Sequence, residues 1–256
     1  MSPEWYYHMR PSMPSSRSDA RGGYPPGGLH GQIVHAIGRQ IVSGAIRPGE
    51  LLPAQAGLSA SRTVMREVIK VLVTKGLVES RPRTGTRVRP PHAWNLLDPD
   101  VLAWRRHGAS PGEFLRKLTE VRLVVEPAAA ELAAQRAGES ELQAIDAAYR
   151  GMETALNGDS EDYVAFDRAD MEFHRAIVRA CGNDLLEQMG QVVYSALLVS
   201  FQATSRLPGR ARASMSHHRA ILDAIRRRNV RKAGQAMCRL VESTAREVEA
   251  LPLDGP

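Results

Sequence analysis

Apolar positions along the chain change period twice. Ile33, Val34, Ile37, Ile41 and Val42 recur at helical spacing over residues 29–43, and Gly44 stops the run. Val64, Val68, Val71 and Leu72 repeat in the same way over residues 61–72, with Arg62, Thr63, Arg66 and Lys70 mainly on the other side. The spacing predicts a short helix with an apolar inner face and a basic outer one. Alternation of period two follows, which predicts strands at 77–80 and 86–89 with Pro82 to Gly85 as the turn. From Asp98 onward the pattern is helical again, with candidate helices at about 98–107, 111–136, 139–157, 160–181, 184–205, 214–227 and 230–250. Gly138, Gly158, Gly182 and Pro208-Gly209 separate them. The fold class is therefore mainly α: a winged helix-turn-helix with a small β-hairpin wing, then an all-α bundle of six or seven helices.

Composition divides the chain in the same way. Residues 1–28 are rich in Pro, Gly, Ser and Arg and lack a continuous apolar region, so they are expected to be a disordered tail rather than a signal peptide. Residues 29–91 form the winged domain, 92–104 a linker entered through Arg89-Pro-Pro-His92, and 105–252 the helical domain. Residues 29–91 hold 10 Lys or Arg against 3 Asp or Glu, a net of +7. Residues 98–181 hold 10 basic against 16 acidic, a net of −6, although the whole chain is +6. Positive charge concentrated in one segment is the footprint of a phosphate-binding surface. Two cysteines without metal spacing suit a reducing cytoplasm. No apolar run reaches membrane-spanning length, the longest candidate, Val192 to Phe201, being about half of it.

A basic helix beside a cationic hairpin has the shape and charge to enter the major groove of double-stranded DNA. Arg62, Thr63 and Arg66 begin the helix, where side chains reach base edges. Lys70, Arg81 and Arg83 are expected on phosphates, and Gly85 lets the wing tip approach the backbone. The plainer reading is a solvated basic helix and a surface hairpin.

In the helical half, Asp170 and His174 are four residues apart and share one face of a helix that Phe166, Phe173 and Ile177 bury. His218 lies on the inward stripe of Ile221, Leu222 and Ile225, and His217 falls one residue round, toward solvent. One carboxylate and two imidazoles can hold a divalent cation with positions left open, and two imidazoles favour zinc. A hydrogen-bonded core pair is the alternative. Arg122 precedes Glu126 by one turn, with Val121, Val124 and Val125 beside them. It can clasp an effector carboxylate with two parallel hydrogen bonds, or form an internal salt bridge with Glu126. Ser200 and Thr204 are candidates for the far wall.

The segments Ile41-Val-Ser-Gly44, Arg47-Pro-Gly49, Leu52-Pro53, Ser61-Arg-Thr63, Arg66-Glu67, Lys75-Gly-Leu77 and Gly85-Thr86 resemble the GntR family of bacterial transcription regulators. Glu120-Val-Arg122, Glu126-Pro127, Asp170-x-x-Phe-His174 and His218 to Ile225 resemble its FadR branch, which carries the helical FCD effector domain. The resemblance spans roughly residues 29–250. It implies a cytoplasmic homodimer that binds a DNA operator and releases it when a small carboxylate binds. It also implies that many relatives hold metal through one Asp and three His; the fourth ligand would fall at Leu240, which cannot coordinate. The linker Trp94 to Trp104 is similar to sugar-acid-responsive members, which implies an aldonate such as galactonate as effector. An aldonate offers a carboxylate and an adjacent hydroxyl to the open positions.

One departure stands out. Only seven residues, Ala54 to Ala60, lie between Pro53 and Ser61, about four fewer than the family pattern. The first helix of the helix-turn-helix is thereby shortened. Two alternatives within the same architecture follow: a regulator of another carboxylate, or a helical interaction protein with impaired DNA binding. A metal-dependent hydrolase is the rival class, and the sequence offers it no nucleophile motif, phosphate loop or extra general base.

Overall fold

The computed structural model describes residues 23–52, 61–81, 83–105, 111–157, 161–190, 194 and 209–250. The segment 54–60, Pro82, Ser200 and Thr204 lie outside the described residues. Helix α1 (Gly28–Val42) buries Ile33, Val34, Ile37 and Ile41 against α2 (Arg62–Thr74), which buries Met65, Val68 and Leu72. Val64 and Val71, expected to face the core, are only partly buried and pack at its margin. Ser61 caps α2, its hydroxyl accepting from the Val64 N–H at 3.3 Å. The chain leaves α2 through Gly76 at φ +74°, where an added Cβ would lie 2.7 Å from the Ala93 carbonyl oxygen. Only glycine meets both demands.

Strands β1 (Val78–Arg81) and β2 (Gly85–Val88) pair antiparallel, with Val78 opposite Val88 and Ser80 opposite Thr86. Each is shifted by one residue from its predicted span. The sequence pattern missed a third contributor, the stretch before Pro53. Leu51 bridges to Arg87, the Leu52 N–H donates to the Thr86 carbonyl at 2.8 Å, and the Val88 N–H donates to that of Glu50 at 3.0 Å. This extends the ladder along one edge of β2.

The segment read as a linker is folded. Helix α3 (Pro99–Arg105) sends Val101 and Trp104 into the winged-domain core, at 0 % and 4 % exposure. The Trp104 ring fills the place of a side chain at Gly38, where an added Cβ would meet it at 2.4 Å. Its indole N–H donates to His35 Nδ1 at 3.2 Å. Lys75, at the end of α2, is buried and reaches both Asp98 at 2.9 Å and Asp100 at 2.6 Å. The expected tail also begins to order earlier than residue 29. The Tyr24 N–H donates to Asp100 at 2.8 Å, and its hydroxyl lies 2.8 Å from His30 Nδ1. Leu102, between Val101 and Trp104, belongs instead to the helical domain's buried cluster with Phe114, Leu115, Leu118 and Val248. The short helix is thus seated in both cores.

The helical domain comprises α4 (Pro111–Arg136), α5 (Glu139–Leu156), α6 (Tyr163–Ala180), a helical stretch at 184–190, α7 (Arg210–Arg226) and α8 (Val230–Glu249). Helix α4 has the predicted bounds, and α7 starts four residues earlier than predicted. Its main core runs from Ala130, Ala133 and Ala134 of α4 through Ile145, Met152, Phe173 and Ile177 to Ile221, Ile225 and Met237. Small alanines on α4 let α8 approach closely; an added Cβ at Gly234 would meet the Glu131 side chain at 2.3 Å. Val121 and Val124 turn outward, at 41 % and 74 % exposure. Only Val125 of the three is buried.

Candidate functional site

Two surfaces carry the chemistry. The first is the outer face of α2. Arg62, Thr63, Arg66 and Lys70 are exposed there, opposite Met65, Val68 and Leu72. Glu67 sits among them, accepting from Lys70 at 2.9 Å with Arg66 Nε 3.8 Å away. The Lys70 hydrogen bond lowers the Glu67 pKa. The wing adds Arg81, paired with Glu79 at 3.2 Å, and exposed Arg83 at the tip. Arg83 takes φ 64°, a left-handed conformation, and Gly85 takes φ +83°. The hairpin therefore turns tightly, and its guanidiniums stand in water near the helix that would enter a groove.

The second surface is internal. Asp170 and His174 of α6 and His218 of α7 are 5 %, 1 % and 1 % exposed, and their ligand atoms all lie within 4.8 Å of one another. The Nε2 atoms of both histidines converge on Asp170 Oδ1, at 2.8 Å from His218 and 3.3 Å from His174. His218 Nδ1 lies 2.9 Å from the Ser214 carbonyl oxygen. A carbonyl can only accept, so the proton of a neutral His218 is on Nδ1 and its Nε2 lone pair faces the carboxylate. His174 Nδ1 is 2.9 Å from Glu126 Oε2, an arrangement that likewise orients Nε2 inward. Imidazoles held at Nδ1 and offered at Nε2 are the outer-shell pattern of metal-binding histidines. The residues fit a divalent cation.

Charge is closely matched around this triad. Arg122 Nε donates to Glu126 Oε1 at 2.6 Å, with both side chains all but sealed from water. Burial opposes Glu126 ionisation, but Arg122 and His174 outweigh it and lower its pKa to about 2. Burial likewise opposes charge on Asp170, yet His218 and His174 hold its carboxyl far below the ordinary range. Burial lowers the His174 pKa, and Glu126 and Asp170 more than reverse this, to about 9. Glu126 therefore links the two candidate functions, bracing Arg122 on one oxygen and His174 on the other.

A cavity of about 70 Å³ opens at the triad, lined by Arg122, Asp170, His174 and His218. Leu240 also lines it, so the position implied for a fourth ligand does face the site with an aliphatic side chain. His217 lines the cavity and is partly exposed, as its place on the helix predicted. The sequence reading missed Arg210, Ser214, Ser243, Thr244 and Glu247, which line the same cavity. It also missed Tyr194, which is 2 % exposed and has its ring centroid 6.1 Å from that of His174. These residues fall at no motif spacing, although Ser214 is one helical turn from His218.

A winged helix-turn-helix with an exposed cationic face, joined to a helical bundle with a polar internal pocket, defines a transcription regulator that carries its own sensor. The chain belongs to the GntR family of bacterial regulatory proteins, whose model matches residues 29–88, and carries an FCD domain over residues 117–243. It is a DNA-binding regulator and not an enzyme. It is 34 % identical to the galactonate operon transcriptional repressor of Escherichia coli strain K12, over 86 % of this chain and 96 % of that protein. It is 26 % identical to the Uxu operon regulator of Haemophilus influenzae, over 83 % and 79 % of the two chains. Among solved structures it is similar to that of Lar from Listeria monocytogenes, at a TM-score of 0.64 and 15 % identity, over 88 % and 98 % of the chains. That likeness concerns the fold. No helix among the described residues is long and apolar enough to cross a membrane.

Proposed function

We propose that the protein is a cytoplasmic, homodimeric repressor of sugar-acid catabolism genes, released from its operator when an aldonate such as galactonate binds the helical domain. The observation that carries this reading is the convergence of His174 Nε2 and His218 Nε2 on Asp170 Oδ1, with Arg122 on the same cavity. Asp170, His174 and His218 would hold a divalent cation, for which zinc suits two imidazoles and one carboxylate. The bound ion would supply a Lewis-acid anchor for a carboxylate and its adjacent hydroxyl. Arg122, braced by Glu126, would orient that carboxylate, whose charge the cation would balance. The printed names of the galactonate and Uxu relatives support a sugar acid over other carboxylates. Two copies are required because one short helix reads only half of a palindromic operator. The exposed Val121 and Val124 offer an apolar surface for that association.

The test is calorimetric titration of the purified protein with a panel of aldonates, alongside metal analysis and an operator-shift assay. His218→Ala should remove the metal and abolish effector-driven release, while operator binding without effector changes far less. Equal metal content and equal release in wild type and variant would overturn the pocket reading.

A further inference from the structure

The cavity has a second polar group some distance from the triad. Arg210 is the first residue of α7, and His218 lies eight residues further on, about 12 Å along the helix axis. On the facing wall Glu247 is seven residues beyond Leu240 on α8, about 10 Å along that axis. Arg210 and Glu247 are ion-paired with each other, and both line the cavity that contains the metal ligands. The Arg210 side chain is only 12 % exposed. Its Nη1 is buried and has no hydrogen-bond partner among the described residues. Such a donor has an explanation when a ligand supplies the acceptor. Burial lowers the Arg210 pKa to about 10, and Asp170 and Arg122 are near enough to influence it. At ordinary pH it therefore stays a cation.

The pairing decides what kind of group this end of the cavity accepts. Glu247 already cancels the Arg210 charge, so a second ligand carboxylate would be desolvated without a matching cation. An Arg–Glu pair presents donors and acceptors together, and a hydroxyl needs both because it donates once and accepts twice. Ser214 of α7 and Thr244 of α8, which line the same cavity, donate to the Ala211 carbonyl at 2.8 Å and to that of Leu240 at 3.2 Å. Their oxygens keep acceptor capacity for further hydroxyl groups.

We propose that Arg210 and Glu247 form a hydroxyl-reading pair that makes this pocket select singly charged polyhydroxy acids over dicarboxylates and over short hydroxy acids. This rests on the sugar-acid reading above and adds the determinant of chain length and end-group charge. The triad and Arg122 take the carboxylate end, and the pair takes the distal hydroxyls.

Three ligands separate the terms: D-galactonate, galactarate, which differs by a carboxylate in place of the terminal hydroxymethyl, and lactate, which lacks the distal hydroxyls. Calorimetry on the full-length, zinc-loaded protein should find galactonate tighter than either by about tenfold or more. Arg210→Met should reduce galactonate affinity by about 10–100-fold and lactate affinity much less, narrowing their ratio. Glu247→Gln leaves the Arg210 charge uncancelled and should shift the galactarate-to-galactonate ratio toward galactarate by about tenfold. Arg210→Lys keeps the ion pair but loses the second donor, so it serves if the methionine variant does not fold. Ratios within twofold of wild type, in variants that melt like wild type, overturn the proposal. So does an equal loss of lactate and galactonate, which would assign Arg210 to the carboxylate end. Failure of all three acids to bind the wild-type holoprotein removes the sugar-acid reading and this inference together.

Discussion

The cations on the outer face of α2 stand in water, whereas those beside the internal triad are sealed. The Arg66 and Lys70 side chains are 73 % and 64 % exposed, while Arg122 and His174 are each at 1 %. The surface cations have only water-exposed acidic neighbours, Glu67 beside Arg66 and Lys70 and Glu79 beside Arg81. The internal ones are matched within the chain, by Glu126 and Asp170. The difference follows from the ligands. A DNA surface must be open along its length, and exposed ion pairs there contribute little to stability. A small-molecule site must exclude water, so every charge in it needs a partner before the ligand binds. Removing a charge should therefore damage folding in one region and only binding in the other.

The largest effects should come from the sealed side. Glu126→Ala strips the partner from Arg122 and His174 at once and should cost about 3–5 kcal/mol of stability, measured by urea unfolding followed through far-UV circular dichroism. A loss below about 1 kcal/mol would mean that water reaches the pair and that the contrast is overdrawn. Trp104→Ala should cost a similar amount, about 3–5 kcal/mol, because it empties the space against Gly38. It extends the comparison, since a residue in a free linker would be replaced at little cost.

Smaller effects belong to the open face. Arg66→Ala should weaken operator binding by about 1–3 kcal/mol in a fluorescence titration and relax base preference. Its unfolding midpoint should stay within about 0.5 kcal/mol of wild type, as for surface substitutions in general. Unchanged operator affinity would show that α2 does not enter the groove. Arg83→Ala should have the mildest effect, lowering affinity for all sequences alike and reducing the slope of log affinity against log salt by about one. A sequence-dependent effect would move Arg83 from phosphate contact to base reading.

Legibility also differed between the two regions. Helix α2 and the wing could be read to within about two residues, because period and turn residues act over a few positions. Helix α4 and the Asp170–His174 pair were equally legible, since the spacing of four is a property of the helix itself. The packing of residues 92–104 was not, although a helix at about 98–107 was expected there. Its Pro-Pro entry and mixed pattern suggest a connection, yet Trp104 is held by Gly38 and His35, more than sixty residues earlier. The helical period of Val101, Leu102 and Trp104 does not say which core each side chain enters.

Local periodicity, charge placement and motif spacing determined by themselves that a winged DNA reader precedes a helical sensor, and that Asp170, His174 and His218 point inward. Those features depend on one helix or one hairpin at a time. Tertiary structure alone decided what stands opposite them. It put Glu126 between Arg122 and His174, brought Arg210 of α7 to Glu247 of α8, and seated α3 in both cores. Each of these is a contact between elements or between the partners of a buried charge. Such contacts are set by how helices pack and by the cost of leaving a charge alone in the interior, and neither quantity is a property of any short stretch of sequence.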